Sequence, residues 1–339
     1  MSTTVNRRTA LGFGTAATAG LVFGTGSGAS AAPTPDRGAA TDAIGPAERR
    51  VGKIYYRAST EAGGTWRARI SVNAPDGSAL TAVDQGSDDR VEAYSVNKVA
   101  VAVAVLDKVD RGLLQLNQTV EVSAAIVIPD GDGIFRLDGA YPSTVTVGHA
   151  LAALLTVSDD TSVRLCGLVC PALEINQILV AKGFPNTQVE PVANPNRFFL
   201  GATTPRETHD LLRALVAGTL LSPASTAFLL AALRSPIAYP DGIRHDMSSA
   251  DRERVATKAG WFNGGRNEAG IMFGTDGTPR LTYAIFADGQ ADPDNFGPTH
   301  PATHARSVMG RRFLEAITEP GTAAATSRAR SAYRPSNGG

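Results

Sequence analysis

A chain of 339 residues, 43% hydrophobic and 6% aromatic, is long and apolar enough to bury a sizeable core. Its 32 basic side chains are balanced by 32 acidic ones, so net charge gives no pull towards nucleic acid or an anionic membrane. The composition is not that of a disordered chain, and one compact unit of two closely packed subdomains is expected.

In chain order, Arg7-Arg8 precedes an apolar run rich in Gly, Ala and Leu, and Ala29-Ser30-Ala31 supplies small residues for cleavage. That combination predicts a twin-arginine-type signal peptide over residues 1–31 and a secreted, extracellular mature protein. The apolar stretch over residues 9–23 is too short and too glycine-rich for a membrane span, and no span is expected in the mature chain. Residues 32–45 read as a flexible lead, residues 46–319 as the catalytic domain, and residues 320–339, rich in Ser, Ala, Arg and Gly, as a disordered tail.

From Trp66 the pattern alternates, with Trp66, Ala68, Ile70 and Val72 on one face and Arg67, Arg69, Ser71 and Asn73 on the other, which predicts a half-buried strand. Pro75-Asp76-Gly77 is a turn signal, and residues 79–83 return as the hairpin partner. Three more strands are predicted late in the chain, over residues 255–262, 268–273 and 281–287, joined at Gly264-Gly265 and Asp276-Gly277. A closing helix is expected over residues 303–317. Strands at both ends around a helical middle predict an α+β fold of the α/β-α sandwich type, an antiparallel sheet built from both chain ends with an inserted all-helical subdomain. Residues 99–105 alternate Val and Ala with a period of two, which locally reads as a strand. A helix apolar all round and buried at the centre is nevertheless expected there, because Ser95 and Lys98 share a face only on a helix.

Two cysteines, Cys166 and Cys170, lie one helical turn apart ahead of Pro171. Export permits a disulfide, and the spacing leaves a bridge and two buried thiols both open. His300 and His304 share an i, i+4 spacing beside a Pro- and Thr-rich loop, and a solvent-facing or capping role is expected. No metal site and no cofactor is implied.

Three short motifs occur in a fixed order: Ser95-Val96-Asn97-Lys98, Ser158-Asp159-Asp160 and Lys258-Ala259-Gly260. A serine hydroxyl needs a base to take its proton during attack, and Lys98, one turn on, is placed to do so. A helix opening at Ser95 also leaves backbone N–H groups free to hold an oxyanion, with the N–H of Trp261 as a second donor. Ser158 is a candidate for passing a proton to the departing nitrogen.

The trio is similar to the S-x-x-K, S-D-N and K-T-G signature of class A β-lactamases and penicillin-binding proteins. From Trp66 to Ile317 the chain resembles a class A β-lactamase or a close relative among secreted serine hydrolases. Further resemblance lies in Glu190-Pro191 with Asn194 four residues after the glutamate, in residues 154–161, and in Thr203-Thr204-Pro205-Arg206. The resemblance implies catalytic roles for Ser95, Lys98, Ser158 and Glu190, and substrate contacts for Asp160, Asn194, Lys258, Ala259, Gly260 and Trp261. It further implies that Glu190 and Asn194 hold the water that hydrolyses the acyl-enzyme.

Two departures bear on the substrate. Asp160 replaces an asparagine whose amide donates to the substrate, so an ionised Asp160 favours an amine or N–H on the ligand, while a protonated one imitates the amide. Its charge is expected to raise the pKa of Lys98 and shift the burden of activating Ser95 towards Glu190. Ala259 removes a hydroxyl that normally helps hold a carboxylate, and Arg266 or Arg244 is a candidate replacement, if it is not simply a surface arginine. Trp261 either narrows the cleft or packs as an ordinary strand residue.

The expected activity is hydrolysis of a β-lactam or related amide or ester with altered recognition, and hence antibiotic resistance. The alternatives are a D,D-peptidase-like cell-wall enzyme and a non-catalytic β-lactam-binding protein. The expected partner is a small-molecule or peptide amide substrate, with no nucleic acid, and the expected state is a monomer.

Overall fold

A computed structural model describes residues 46–74 and 77–318. The segments predicted as a signal peptide, a lead and a tail, together with Pro75 and Asp76, lie outside the described residues. The chain begins with α1 (Pro46–Ala62), β1 (Thr65–Asn73), β2 (Ala79–Gln85) and β3 (Val91–Glu92). A single 3-10 turn (Tyr94–Asn97) then leads into α2 (Lys98–Asp110). The middle of the chain is mostly helical: β4 (Thr119–Val122), α3 (Phe135–Asp138), β5 (Ser143–Thr146), α4 (Val147–Thr156), α5 (Asp160–Val169) and α6 (Ala172–Ala181). A hairpin of β6 (Gln188–Pro191) and β7 (Phe198–Thr203) precedes α7 (Pro205–Val216), α8 (Pro223–Arg234) and α9 (Ser249–Arg252). The last elements are β8 (Val255–Phe262), β9 (Gly265–Phe273), β10 (Pro279–Asp288) and α10 (Pro301–Ile317).

The main sheet has the order β2-β1-β10-β9-β8, antiparallel throughout, so strands from both ends of the chain meet at the β1–β10 pair. Two cores flank it, which is why residues 281–287 are buried without interruption instead of alternating with exposed positions. Leu281, Tyr283, Ile285 and Ala287 pack with α1 and α10, while Ala284 and Phe286 pack with the helical subdomain. The predicted stripe of Trp66, Ala68, Ile70 and Val72 is buried on the α1–α10 side. On the other face of β1, Ser71 is also buried and its Oγ lies 2.8 Å from His209 Nε2 of α7.

α2 is the axis of the second core. Every residue from Lys98 to Leu106 is buried, so its all-round apolar surface is satisfied by neighbours on every side and the Val-Ala alternation carries no strand signal. α1 has no counterpart among the predicted elements, although Val51, Tyr55 and Ala58 mark a helical stripe in the sequence. Cys166 and Cys170 are both buried and unbridged; α5 runs up to Cys170, whose N–H donates to the Cys166 carbonyl at 2.8 Å. His300 caps α10, with Nδ1 accepting from the Ala302 N–H at 3.1 Å. Among the described residues no single helix is long and apolar enough to cross a membrane.

Candidate active site

Ser95 lies in the 3-10 turn at the head of α2, where the first N–H groups lack intrahelical partners. Tyr94, directly before it, has a φ of 49°, and Ser158 has a φ of 55°. Two of the four described non-glycine residues in the left-handed region therefore sit at the two serine motifs. Such strain of about 1–3 kcal/mol persists only where surrounding contacts over-determine it, and active sites are where it concentrates.

Ser158 is held by two lysines. Lys98 Nζ donates to the Ser158 carbonyl at 2.5 Å and to its Oγ at 3.1 Å, and Lys258 Nζ donates to the same Oγ at 2.9 Å. Lys98 is 0% exposed and Lys258 3%. Burial pushes Lys98 below the ordinary lysine range, against the opposing pull of the Asp160 carboxylate. Burial and the Lys98 charge together push Lys258 well below it. Asp160 does pull the Lys98 pKa up, as expected, but desolvation outweighs the ion pair and the net direction is down. A lysine depressed in this way holds more of its neutral amine, the form that can take a proton, than one in water.

Asp160 opens α5 and faces Lys98, with Oδ1 2.7 Å from Nζ. Its Oδ2 accepts the N–H of Asp132 at 3.0 Å, and its own N–H donates to the Asp132 carbonyl at 3.0 Å. Both oxygens act as acceptors, as a carboxylate does. Asp159 is fully buried and structural: it caps α5 through Ser162 N–H at 2.8 Å and takes the N–H groups of Ile134 and Phe135 at 2.6 and 2.9 Å. The 131–135 segment is thereby fixed against the second motif.

β8 forms the opposite wall as the edge strand of the main sheet. Gly260 stands so close to the head of α2 that a Cβ there would lie 2.6 Å from Ser95 N and 2.9 Å from Val96 N. Ala259 is buried and places no polar atom in the cleft. Trp261 packs on Tyr239 with ring centroids 5.3 Å apart. Together with Ile237, Ser158 and Lys258 these rings line a narrow pocket of about 140 Å³.

Neither arginine candidate reaches this cleft. Arg244 is fully buried and donates to the carbonyls of Leu233, Ser235, Ala238 and Val255. Arg266 is likewise buried and donates to the carbonyls of Asn263, Gly265, Pro293 and Asn295. Both are structural, neither surface residues nor carboxylate clamps.

Glu190 and Asn194 are placed differently from the other candidates. Glu190 lies on β6 opposite Phe199 of β7, exposed, and its carboxylate makes no hydrogen bond or ion pair among the described residues. Asn194 is exposed and its Oδ1 accepts the N–H of Asn196 at 3.0 Å. What ties their hairpin to the turn that carries Ser95 is Asn97, inside the first motif. Its Nδ2 donates to the carbonyls of Leu200 at 2.7 Å and Ala202 at 3.1 Å on β7. Its role was not read from the sequence, where a polar residue between Val96 and Lys98 was the only signal.

Comparison with known proteins decides the family. The model of the family Beta-lactamase2, described as the beta-lactamase enzyme family, matches residues 55–317. This chain belongs to that family. A curated relative, Beta-lactamase AER-1 of Aeromonas hydrophila, is 27% identical over 168 residues, covering 48% of this chain. That match spans 55% of the relative's length. Solved structures share the fold: a beta-lactamase of Sphaerobacter thermophilus superposes with a TM-score of 0.65 at 22% identity, covering 79% of this chain and 95% of that one. A beta-lactamase of Chitinophaga pinensis gives 0.66 at 21%, covering 80% and 99%. The structure titled PBP-A gives 0.62 at 19%, covering 80% and 95%. The architecture is thus that of class A β-lactamases and penicillin-binding-protein-like folds.

Proposed function

We propose that this chain is an exported serine hydrolase that forms and hydrolyses an acyl-enzyme, opening a β-lactam or a related amide or ester. The observation carrying this reading is Ser158 Oγ, held 3.1 Å from Lys98 Nζ and 2.9 Å from Lys258 Nζ. In this reading Ser95 Oγ attacks the carbonyl carbon while its proton passes to the neutral amine of Lys98. The oxyanion is held by the N–H groups of Ser95 and Trp261, between which Gly260 allows close approach. As the C–N or C–O bond breaks, Ser158 gives its proton to the leaving atom and regains one from the lysines. Water then attacks the ester with Glu190 as general base, releasing acid and Ser95. Export is supported by Arg7-Arg8 and the apolar run behind it. Altered recognition is supported by Asp160, which accepts where an amide would donate, and by the missing hydroxyl at Ala259.

Intact mass over time, for wild type and Ser95→Ala with penicillins, cephalosporins and activated esters, tests the reading. Product that accumulates only with Ser95 present supports it, and absence of any Ser95-dependent adduct or product across the panel refutes it. A second reading, a peptidase or binder that stays acylated, is favoured by the exposed and unpartnered Glu190 carboxylate. A persistent adduct decides for that second reading.

A further inference from the structure

The spare positive charge near the cleft does not lie where Ala259 lost its hydroxyl. It lies beyond Asp160, in a groove between α5 and the hairpin of β6 and β7. α5 presents Asp160, Val163 and Arg164 at i, i+3 and i+4 on one face. One turn further, Gly167 lets the hairpin press close, since a Cβ there would collide with the Asn196 carbonyl and the Phe198 ring. The groove so formed is about 380 Å³, walled by Ile128, Val192, Phe198, Phe199 and Leu200, with Asp160, Arg164 and Arg197 as its charged members.

Charge in this groove is incomplete. Among the described residues Arg197 makes no ion pair, and its Nη1 is buried without a hydrogen-bond partner. Arg164 uses Nη1 on the carbonyls of Ile126 and Val127, at 3.0 and 3.3 Å, and meets no carboxylate among the described residues either. Asp160, the carboxylate that lines the groove, is engaged by Lys98 at 2.7 Å. Burial and the Arg164 charge both work against Arg197, pushing its pKa down. An unpaired buried donor beside a like charge is unfavourable, and an anion in the groove relieves both penalties. The apolar walls and the volume suit an aromatic or branched group beside that anion.

We propose that this groove is a subsite for an acyl substituent that is both apolar and anionic, with Arg197 as its principal counter-ion and Arg164 as supporting charge. This rests on the acyl-enzyme reading, in which the substituent next to the attacked carbonyl passes Asp160. The substrate class is then an amide or ester whose acyl part carries a carboxylate, sulfonate or phosphate on an apolar body.

Two assays separate the subsite from the hydrolase reading. The first compares kcat/KM for para-nitrophenyl esters of para-carboxyphenylacetic and para-methylphenylacetic acid. Wild type favours the carboxylate, Arg197→Gln lowers the carboxylate-to-methyl ratio by about 10-fold or more, and Arg197→Lys restores part of it. The second measures binding of para-carboxyphenylacetamide to Ser95→Ala by calorimetry, where no turnover is needed. Binding weakened by adding Arg197→Gln supports the subsite even if no ester is hydrolysed. Turnover with a ratio and a binding constant both indifferent to Arg197→Gln overturns the subsite and leaves the hydrolase reading standing.

Discussion

Gly260→Ala probes the oxyanion geometry with one carbon atom. The added Cβ would stand 2.6 Å from Ser95 N, 2.9 Å from Val96 N and 3.0 Å from Tyr94 Cβ, against the 3.4 Å at which ordinary contact begins. Two of these neighbours are backbone atoms at the head of a buried helix, and Tyr94 is already in a strained conformation, so no flexible side chain can swing aside. β8 and the nucleophile's turn must separate by most of an ångström. A misplacement of about 1 Å in a reacting constellation costs on the order of 100-fold in rate, and overpacking costs about 1–3 kcal/mol of stability. The assay is the single-turnover rate of acylation by an activated ester or penicillin, followed by mass or chromophore release, with thermal unfolding showing that the variant is folded. A folded Gly260→Ala that acylates within about threefold of wild type refutes the placement of Gly260 against the oxyanion donors.

Asp160→Asn should move the acidic limb of the acylation pH profile to lower pH. Lys98 takes a proton only as the neutral amine; burial holds its pKa down while Asp160 pulls it up, so removing that charge lowers it further. A limb that stays in place or moves up counts against Lys98 as the titrating base. The same substitution supplies an amide donor and should raise penicillin turnover, and no rise removes the main support for altered recognition. Asn97→Ala deletes the donor to the Leu200 and Ala202 carbonyls and should cost about 1–3 kcal/mol in urea unfolding, with faster proteolysis of the β6–β7 hairpin. An unchanged midpoint shows that Asn97 is not the clamp. Cys166 and Cys170 are pushed up to about 12 by burial, so both should resist a thiol reagent at neutral pH in the folded protein and react together on denaturation. Rapid native labelling shows that this part of the helical core opens.

What the sequence determined by itself was local in origin. Period-two patterning located β1, strand-like segments between turn residues located the three late strands and their connections, and an i, i+3 spacing required Ser95 and Lys98 to share a helical face despite the Val-Ala alternation. The three motifs were readable because their chemistry needs fixed residue types at short spacing, and the fold draws Ser95, Lys98, Ser158, Asp160 and Lys258 together. α1 carried a legible stripe, yet a stripe alone does not say which surface will cover it; α10, more than two hundred residues later, does. Tertiary structure alone decided every question of desolvation and pairing. Lys98 falls in pKa although Asp160 touches it, because burial is the sum of neighbours from α2, α5 and β8. Arg244 and Arg266 sink onto backbone carbonyls, while Arg164 and Arg197, unremarked in the sequence, meet no carboxylate among the described residues. A side chain's charge is written in its sequence, but what that charge is worth depends on water excluded and partners met, and those are set only when the chain has folded.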